Sequence, residues 1–211
     1  MNQSIHSFGK ELSDRLFDEE RMYAYIEAYA AENHLEQTMR VLPYARGKHN
    51  GQFRKGKDKV PYIYHPLLVA CQALALGLDE DDMVSAALLH DVCEDCDVAP
   101  EELPVNPATQ KAVALLTKVY TGEKLDKKAY FSAIAENEIA VMVKLLDRCC
   151  NVSGMAAGFS REKMLEYIEE TEQWFYPMIQ SAKAAFSERS NALFLLKYHI
   201  SSVVETIKRL V

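Results

Sequence analysis

The sequence predicts an all-α fold, and three observations lead there. Apolar residues recur at helical spacing over almost the whole chain, nothing alternates as a strand does, and 49% of residues are hydrophobic while only 8 of 211 are glycine. The elements follow in order. Phe17, Tyr23, Ile26 and Tyr29 mark a first helix, and Met39 and Leu42 a second. Leu68, Val69, Leu74 and Leu76 mark a third, with Pro66 at its first position, where a missing N–H is harmless, and its end near Gly77. The acidic run at 79–82 suits the start of a fourth helix carrying Val84, Leu88, Leu89 and Val92, because carboxylates stabilise the positive end of the helix dipole. Further helices are expected over 107–119, 127–136 and 139–151. Ser160 reads as the N-cap of a helix with Met164, Ile168, Thr171 and Phe175 on one face, which Pro177 interrupts or kinks. The stretch 191–211 makes a last amphipathic helix.

No Pro/Gly/Ser-rich linker or low-complexity stretch divides the chain, so 1–211 is expected to be one domain. The longest apolar stretch, 67–76, is too short to span a bilayer, and the first residues carry no basic start followed by an apolar run. Five cysteines, an odd number, fit a reducing compartment. A cytoplasmic location and no membrane partner are therefore expected. Cys93 and Cys96 have the spacing of a redox or zinc pair, but no second pair stands at finger-like spacing, and small apolar helix residues are the simpler reading. The net charge of −7 opposes a nucleic-acid partner, since a polyanion needs a basic surface.

One segment departs from this acidity. Arg46, Lys48, Arg54, Lys55, Lys57 and Lys59 stand against a single acid, Asp58, with Gly47, Gly51 and Gly56 interspersed. Glycines let backbone N–H groups approach phosphate, and arginine forks onto phosphate oxygens and stacks on bases, so the loop reads as an anion-capturing element just before His65.

The chemistry is concentrated in three segments. His90, Asp91, Glu94 and Asp95 follow an apolar run, and helical spacing puts His90 one turn from Glu94 and Asp91 one turn from Asp95. One helix would then supply both metal ligands and an acid/base pair. His65 precedes a proline, which biases it to an extended backbone at a helix entrance with its ring free to turn inward. Asp147 interrupts an apolar stretch, and Asn151 lies one turn beyond it on the same face, which offers a further ligand. Burying such groups unpaired costs roughly 2–7 kcal/mol each, so a cation holding them together is the natural inference. Two imidazoles and two carboxylates suit Mn²⁺, with Fe²⁺ or another divalent cation as alternatives; Mg²⁺ prefers oxygen alone and structural zinc prefers thiolates. The chain reads as a metal-dependent hydrolase.

The run from His49 to Lys55, then Pro61-Tyr62-Ile63-Tyr64-His65-Pro66, Leu89-His90-Asp91-Val92-Cys93-Glu94-Asp95, Leu116-Thr117-Lys118 and the run from Val143 to Asn151 resembles the HD-superfamily hydrolase domain of Rel/Spo-type alarmone enzymes. The likeness runs from about residue 35 to about residue 186 and leaves 1–34 as a helical extension outside it. Its length resembles a small stand-alone alarmone hydrolase. The resemblance implies an HD-type helical bundle with a metal site between helices, one Mn²⁺, and removal of the 3′ pyrophosphate from guanosine tetra- or pentaphosphate, a small nucleotide. It implies His65, His90, Asp91 and Asp147 as metal ligands and Glu94 and Asp95 as the catalytic acids. It also implies Arg54 and Lys55 as base-stacking and nucleotide contacts, Asn151 as a nucleoside contact, and Lys163 and Tyr167 at phosphate and ribose. The segment between Arg54 and His65 is longer than in the long enzymes, and Val60 and Tyr64 stand where other residues are commoner, so base preference stays open. A phosphohydrolase of another nucleotide, such as an adenosine alarmone, NADPH or a nucleoside monophosphate, shares the ligand set, and a non-catalytic nucleotide-sensing module is the third reading. No oligomeric state follows from the sequence.

Overall fold

Two stretches of sequence are apolar around their whole circumference and therefore have to lie inside. Met83 to Leu89 are buried without exception, and so are Ala140, Val141, Met142, Val143, Leu145 and Leu146. The computed structural model describes residues 18–54, 59–118 and 126–211. In it these two stretches form the inner helices of an all-α bundle, and the remaining helices wrap them. Phe17 of the expected first helix lies outside the described residues.

The first half packs α1 (Glu19–Glu32), α2 (Glu36–Lys48), α3 (Tyr64–Ala75) and α4 (Asp81–Leu89) against one another. A single turn, α5 (Val92–Asp95), follows α4, and α6 (Pro107–Leu116) lies against α4. The second half is organised by α8 (Glu138–Gly158), which touches α3, α4, α6, α7 (Lys127–Ala135) and α11 (Ser190–Lys208). Helix α9 (Arg161–Glu170) and α10 (Tyr176–Ala185) close the bundle beside α11. Part of the expected N-terminal extension is thus helical: α1 packs on α2 and α3 and buries Met22, Ile26 and Ala30. Among the described residues no strand forms; Phe53 and Pro61 make one isolated antiparallel bridge that pins the base of the basic loop.

Local signals account for most helix ends. Asn106, Asp126, Asn137 and Ser160 each accept a hydrogen bond from the backbone N–H three residues on. Helix α2 lacks a side-chain cap of its own at Leu35. Asp81, at the start of α4, serves instead: it accepts from the backbone N–H groups of Gln37 and Thr38, both at 2.8 Å, and from the Thr38 hydroxyl at 2.8 Å. Asp82 beside it accepts from Gln37, Asn106 and Thr109 side chains. The acidic run therefore binds three helix starts together, α2, α4 and α6, as well as meeting its own dipole.

Four expectations need correction. Pro66 is the third residue of α3, which starts at Tyr64; Ile63 ahead of it is already helical, at φ −54 and ψ −25, so the turn begins before the proline. Helix α8 continues to Gly158, well past Asn151, because Val152 and Met155 carry the buried face on. Pro177 does not end its helix: Thr171–Phe175 widens into a π turn in which Tyr176 N–H bonds the Thr171 carbonyl, and this wider ring absorbs the bond that proline cannot donate. The helix carrying the His-Asp pair stops at Leu89, with Asp91 as the N-terminal flank of the separate turn α5.

Arg148, 5% exposed, spans α8 and α9. Its guanidinium lies 4.4 Å over the Tyr167 ring and 3.9 Å over Phe175, and it pairs with Glu170, which Lys127 also contacts at 2.9 Å. Burial works against the Glu170 charge, but Arg148 and Lys127 outweigh it and bring the carboxyl down to about 2. Two outcomes are expected. Asp81→Ala strands donors from two helices and should lower stability by roughly 2–3 kcal/mol in urea unfolding. Glu170→Gln should be less stable than the parent at neutral pH, and the gap should close as pH falls from about 4.5 to about 2, because a carboxylate depressed in the folded state stabilises above its unfolded pKa and loses that contribution on protonation. Thermal midpoints of both proteins across this range check it.

Candidate metal and nucleotide site

The start of α3, the end of α4 and the middle of α8 meet at one point, and their polar residues converge there. His65 enters from the first turn of α3, His90 from the end of α4, Asp91 from the start of α5 and Asp147 from the middle of α8. His65 Nε2 lies 3.1 Å from Asp147 Oδ1 and 3.3 Å from His90 Nε2. Asp91 Oδ2 is 3.2 Å from His90 Nε2 and 3.7 Å from His65 Nε2. His65, His90 and Asp147 offer donor atoms within 4.8 Å of one another. The two histidines are 2% and 4% exposed.

Second contacts aim these groups. His90 Nδ1 donates to the Ala87 carbonyl at 2.8 Å, which turns its Nε2 to the centre. The Tyr62 hydroxyl donates to Asp91 Oδ2 at 2.8 Å, Asn151 Nδ2 donates to Asp147 Oδ1 at 2.5 Å, and Lys144 sits 3.5 Å from Asp147 Oδ2. Two imidazole nitrogens at 3.3 Å repel unless a proton or a cation lies between donors. The titration behaviour reflects that crowding. Burial opposes charge on His90, yet Asp91 and Asp147 outweigh it and raise the ring to about 9. Burial lowers His65, and the charge on His90 adds to it. Burial would raise both aspartates, but His90 holds Asp91 well below the usual carboxylate range, and Lys144 with His65 does the same for Asp147. Lys144 is raised in turn, Asp147 outweighing its burial.

The donor set fits a divalent cation. It combines borderline imidazole nitrogen with hard carboxylate oxygen and contains no thiolate; His90, Asp91 and Asp147 carry outer hydrogen bonds of the kind metal-ligating groups make, while His65 Nδ1 is buried without a hydrogen-bond partner. Such an ion would compete with the proton for the His90 ring.

Around this centre the expected residues fall into three places. Glu94 and Asp95 are exposed on α5, with the Lys118 N–H donating to Glu94 Oε2 at 3.3 Å and Gln52 Nε2 to the Asp95 carbonyl at 3.0 Å. The break after Leu89 replaces the one-helix geometry expected for His90 and Glu94. Arg54 Nη2 donates to Asn151 Oδ1 at 3.0 Å, which ties the basic loop through Asn151 to Asp147. Its backbone N–H bonds the Val60 carbonyl at 2.9 Å across the hairpin. Lys55 lies outside the described residues. Lys163 and Tyr167 stand apart, lining a cleft of about 300 Å³ with Lys127, Glu166, Glu169, Glu170 and Gln173. Lys163 pairs with Glu166 at 3.2 Å, and Tyr167 stacks on Arg148.

Sequence reasoning did not single out Tyr62, Lys144, Lys118 or Arg148. Lys144, its side chain 12% exposed, neutralises Asp147, and Arg148 turns away to Glu170. Tyr62 was signalled only by its place in the motif around His65. Burial pushes the Cys93 thiol up to about 11 and Cys149 to about 12, and all five cysteines are free, so a thiolate site gains no support.

No protein-family model matches the chain. A guanosine-3′,5′-bis(diphosphate) 3′-pyrophosphohydrolase of Aquifex aeolicus is 34% identical over 152 residues, 69% of this chain and 21% of that protein. The Vibrio cholerae protein of the same name is 30% identical over 162 residues, 72% of this chain and 22% of that protein. A GTP pyrophosphokinase rsh of Brucella ovis is 36% identical over 146 residues, 64% of this chain and 19% of that protein. The chain thus spans about a fifth of the length of the curated relatives it matches. Among solved structures, a chain described as a metazoan ortholog of SpoT that hydrolyzes ppGpp superposes with a TM-score of 0.65 at 24% identity, covering 81% of this chain and 95% of that one. That likeness establishes the fold. The aligned stretch makes this chain similar to one part of these longer Rel/Spo-type enzymes.

Proposed function

We propose that the chain is a Mn²⁺-dependent guanosine 3′,5′-bis(diphosphate) 3′-pyrophosphohydrolase, a single catalytic domain that converts the tetra- and pentaphosphate to GDP and GTP with release of pyrophosphate. The observation that carries the reading is the convergence of His65, His90, Asp91 and Asp147 at one buried point, with two free acids on α5 beside it and a basic loop tied to the same centre through Arg54 and Asn151. The relatives' names supply the substrate. No helix among the described residues is long and apolar enough to cross a membrane.

His65, His90, Asp91 and Asp147 would hold the cation. When bound, it supplies Lewis acidity that polarises a phosphoryl oxygen and makes a water more acidic. The chain's own groups do the rest. Glu94 and Asp95 orient a water and take its proton as its oxygen attacks the phosphorus on the 3′ ester oxygen; that P–O bond breaks, and the departing 3′ oxygen takes up a proton passed back from the acidic pair, leaving a 3′ hydroxyl and pyrophosphate. Arg54, Lys55 and Asn151 hold the nucleoside and its phosphates, the arginine by its planar fork. Lys118 and Lys144 add positive charge on the α8 side, where Lys144 already faces Asp147. Lys163 and Tyr167, in the separate cleft, would reach the phosphate and ribose.

Metal-stripped protein incubated with guanosine 3′,5′-bis(diphosphate) should yield GDP and pyrophosphate only when Mn²⁺ is restored; metal-loaded protein that leaves the nucleotide intact overturns the assignment. Glu94→Gln should bind as much metal as the parent and lose about 10²- to 10³-fold in kcat, the range expected for removal of a proton acceptor. Metal content by elemental analysis, beside product chromatography, separates the two effects.

A further inference from the structure

A third buried histidine stands outside the metal cluster. His49 is 2% exposed, at the end of α2, and its Nδ1 lies 2.7 Å from Gln52 Oε1. Gln52 opens the hairpin that carries the basic loop, and its Nε2 lies 3.0 Å from the backbone carbonyl of Asp95 and 3.6 Å from Cys96 Sγ. The orientation follows from chemistry. A carbonyl oxygen only accepts, so the amide nitrogen of Gln52 must face Asp95; its oxygen then faces His49, and the ring must donate from Nδ1. The same imidazole packs at 4.9 Å from the Tyr62 ring, whose hydroxyl reaches Asp91.

The turn that Gln52 grips is short. Val92–Asp95 is one helical turn, closed by Asp95 N–H on the Asp91 carbonyl and Cys96 N–H on the Val92 carbonyl. A single turn does not hold itself, because nucleating helix fixes several dihedrals for few hydrogen bonds. Its two acids face outward, so burial does not place them either. Gln52 is also bonded through its own backbone: its carbonyl accepts from Tyr62 N–H at 2.9 Å, across the hairpin from Arg54.

We propose that Gln52, oriented by His49, is a positioning residue for the acidic pair: it fixes the α5 turn, and with it Glu94 and Asp95, relative to the hairpin that presents Arg54. The inference rests on the reading of Glu94 and Asp95 as the proton-accepting pair. The role is geometric, so it bears on kcat more than on binding.

Two variants test it. Gln52→Met keeps the volume and removes both hydrogen bonds; Gln52→Glu keeps the acceptor for His49 and removes the donor to Asp95. Both should lower kcat by about 10- to 100-fold, the scale of a small misplacement of reacting groups, with KM within about twofold of the parent. Both should also speed hydrogen exchange at the Asp95 and Cys96 amides about tenfold, while exchange in α4 and α8 stays as it was. Gln52→Glu matching the parent in both readouts overturns the proposal, as does unchanged exchange at Asp95 and Cys96, or a fall in kcat accompanied by faster exchange throughout the bundle. If the parent itself turns over none of the nucleotide, the reading of the reaction fails, and exchange at Asp95 and Cys96 alone decides whether Gln52 holds the turn.

Discussion

The bundle is organised by the need to keep two carboxylates, Asp91 and Asp147, charged at the meeting point of helices that are otherwise apolar. Charge in such a place persists only where opposite charge and hydrogen bonds surround it. Lys144, the two imidazoles, the Tyr62 hydroxyl and the Asn151 amide all answer that need. Their backbones come from three different helices and one loop. The arrangement is therefore a tertiary property, in which α3, α4 and α8 each contribute a group whose position makes sense only beside the others.

This explains what is legible in the sequence. His65, His90 and Asp147 stand out because each interrupts an apolar run, and a polar group in such a run has to be accounted for. The helix types are legible for the same reason in reverse, since unbroken 3.6-residue periodicity leaves no other element. The break after Leu89 is hidden because Val92 continues the apolar pattern, so periodicity carries the helix through a point where the backbone turns. Tyr62 and Lys144 are hidden for a different reason: a phenol beside apolar residues reads as core and a lysine beside an aspartate as a surface pair, until the carboxylates they serve are known to be buried. The π turn at Thr171–Phe175 is half legible, since Pro177 announces a missing donor but not the wider ring that accommodates it.

The two sides of the site differ in how firmly they are built. His65, His90 and Asp147 sit on or at the end of helices with buried flanks, and Asp91 at the start of the single turn α5. The nucleotide side is a hairpin held at its base by one bridge and by the Arg54 to Asn151 contact, with α5 a single turn opposite.

The cap that Asp81 provides to α2 lies 43 residues downstream of Thr38. While the chain is being synthesised, α2 emerges with its first N–H groups facing water, and it completes only when the start of α4 has followed. The same carboxylate starts α4 and meets Ser85 one turn on, so closing one end of α2 and docking the His90-bearing helix are a single event. Asp81 therefore couples the completion of α2 to the placement of the neighbouring α4, and with it the ring of His90 at that helix's other end.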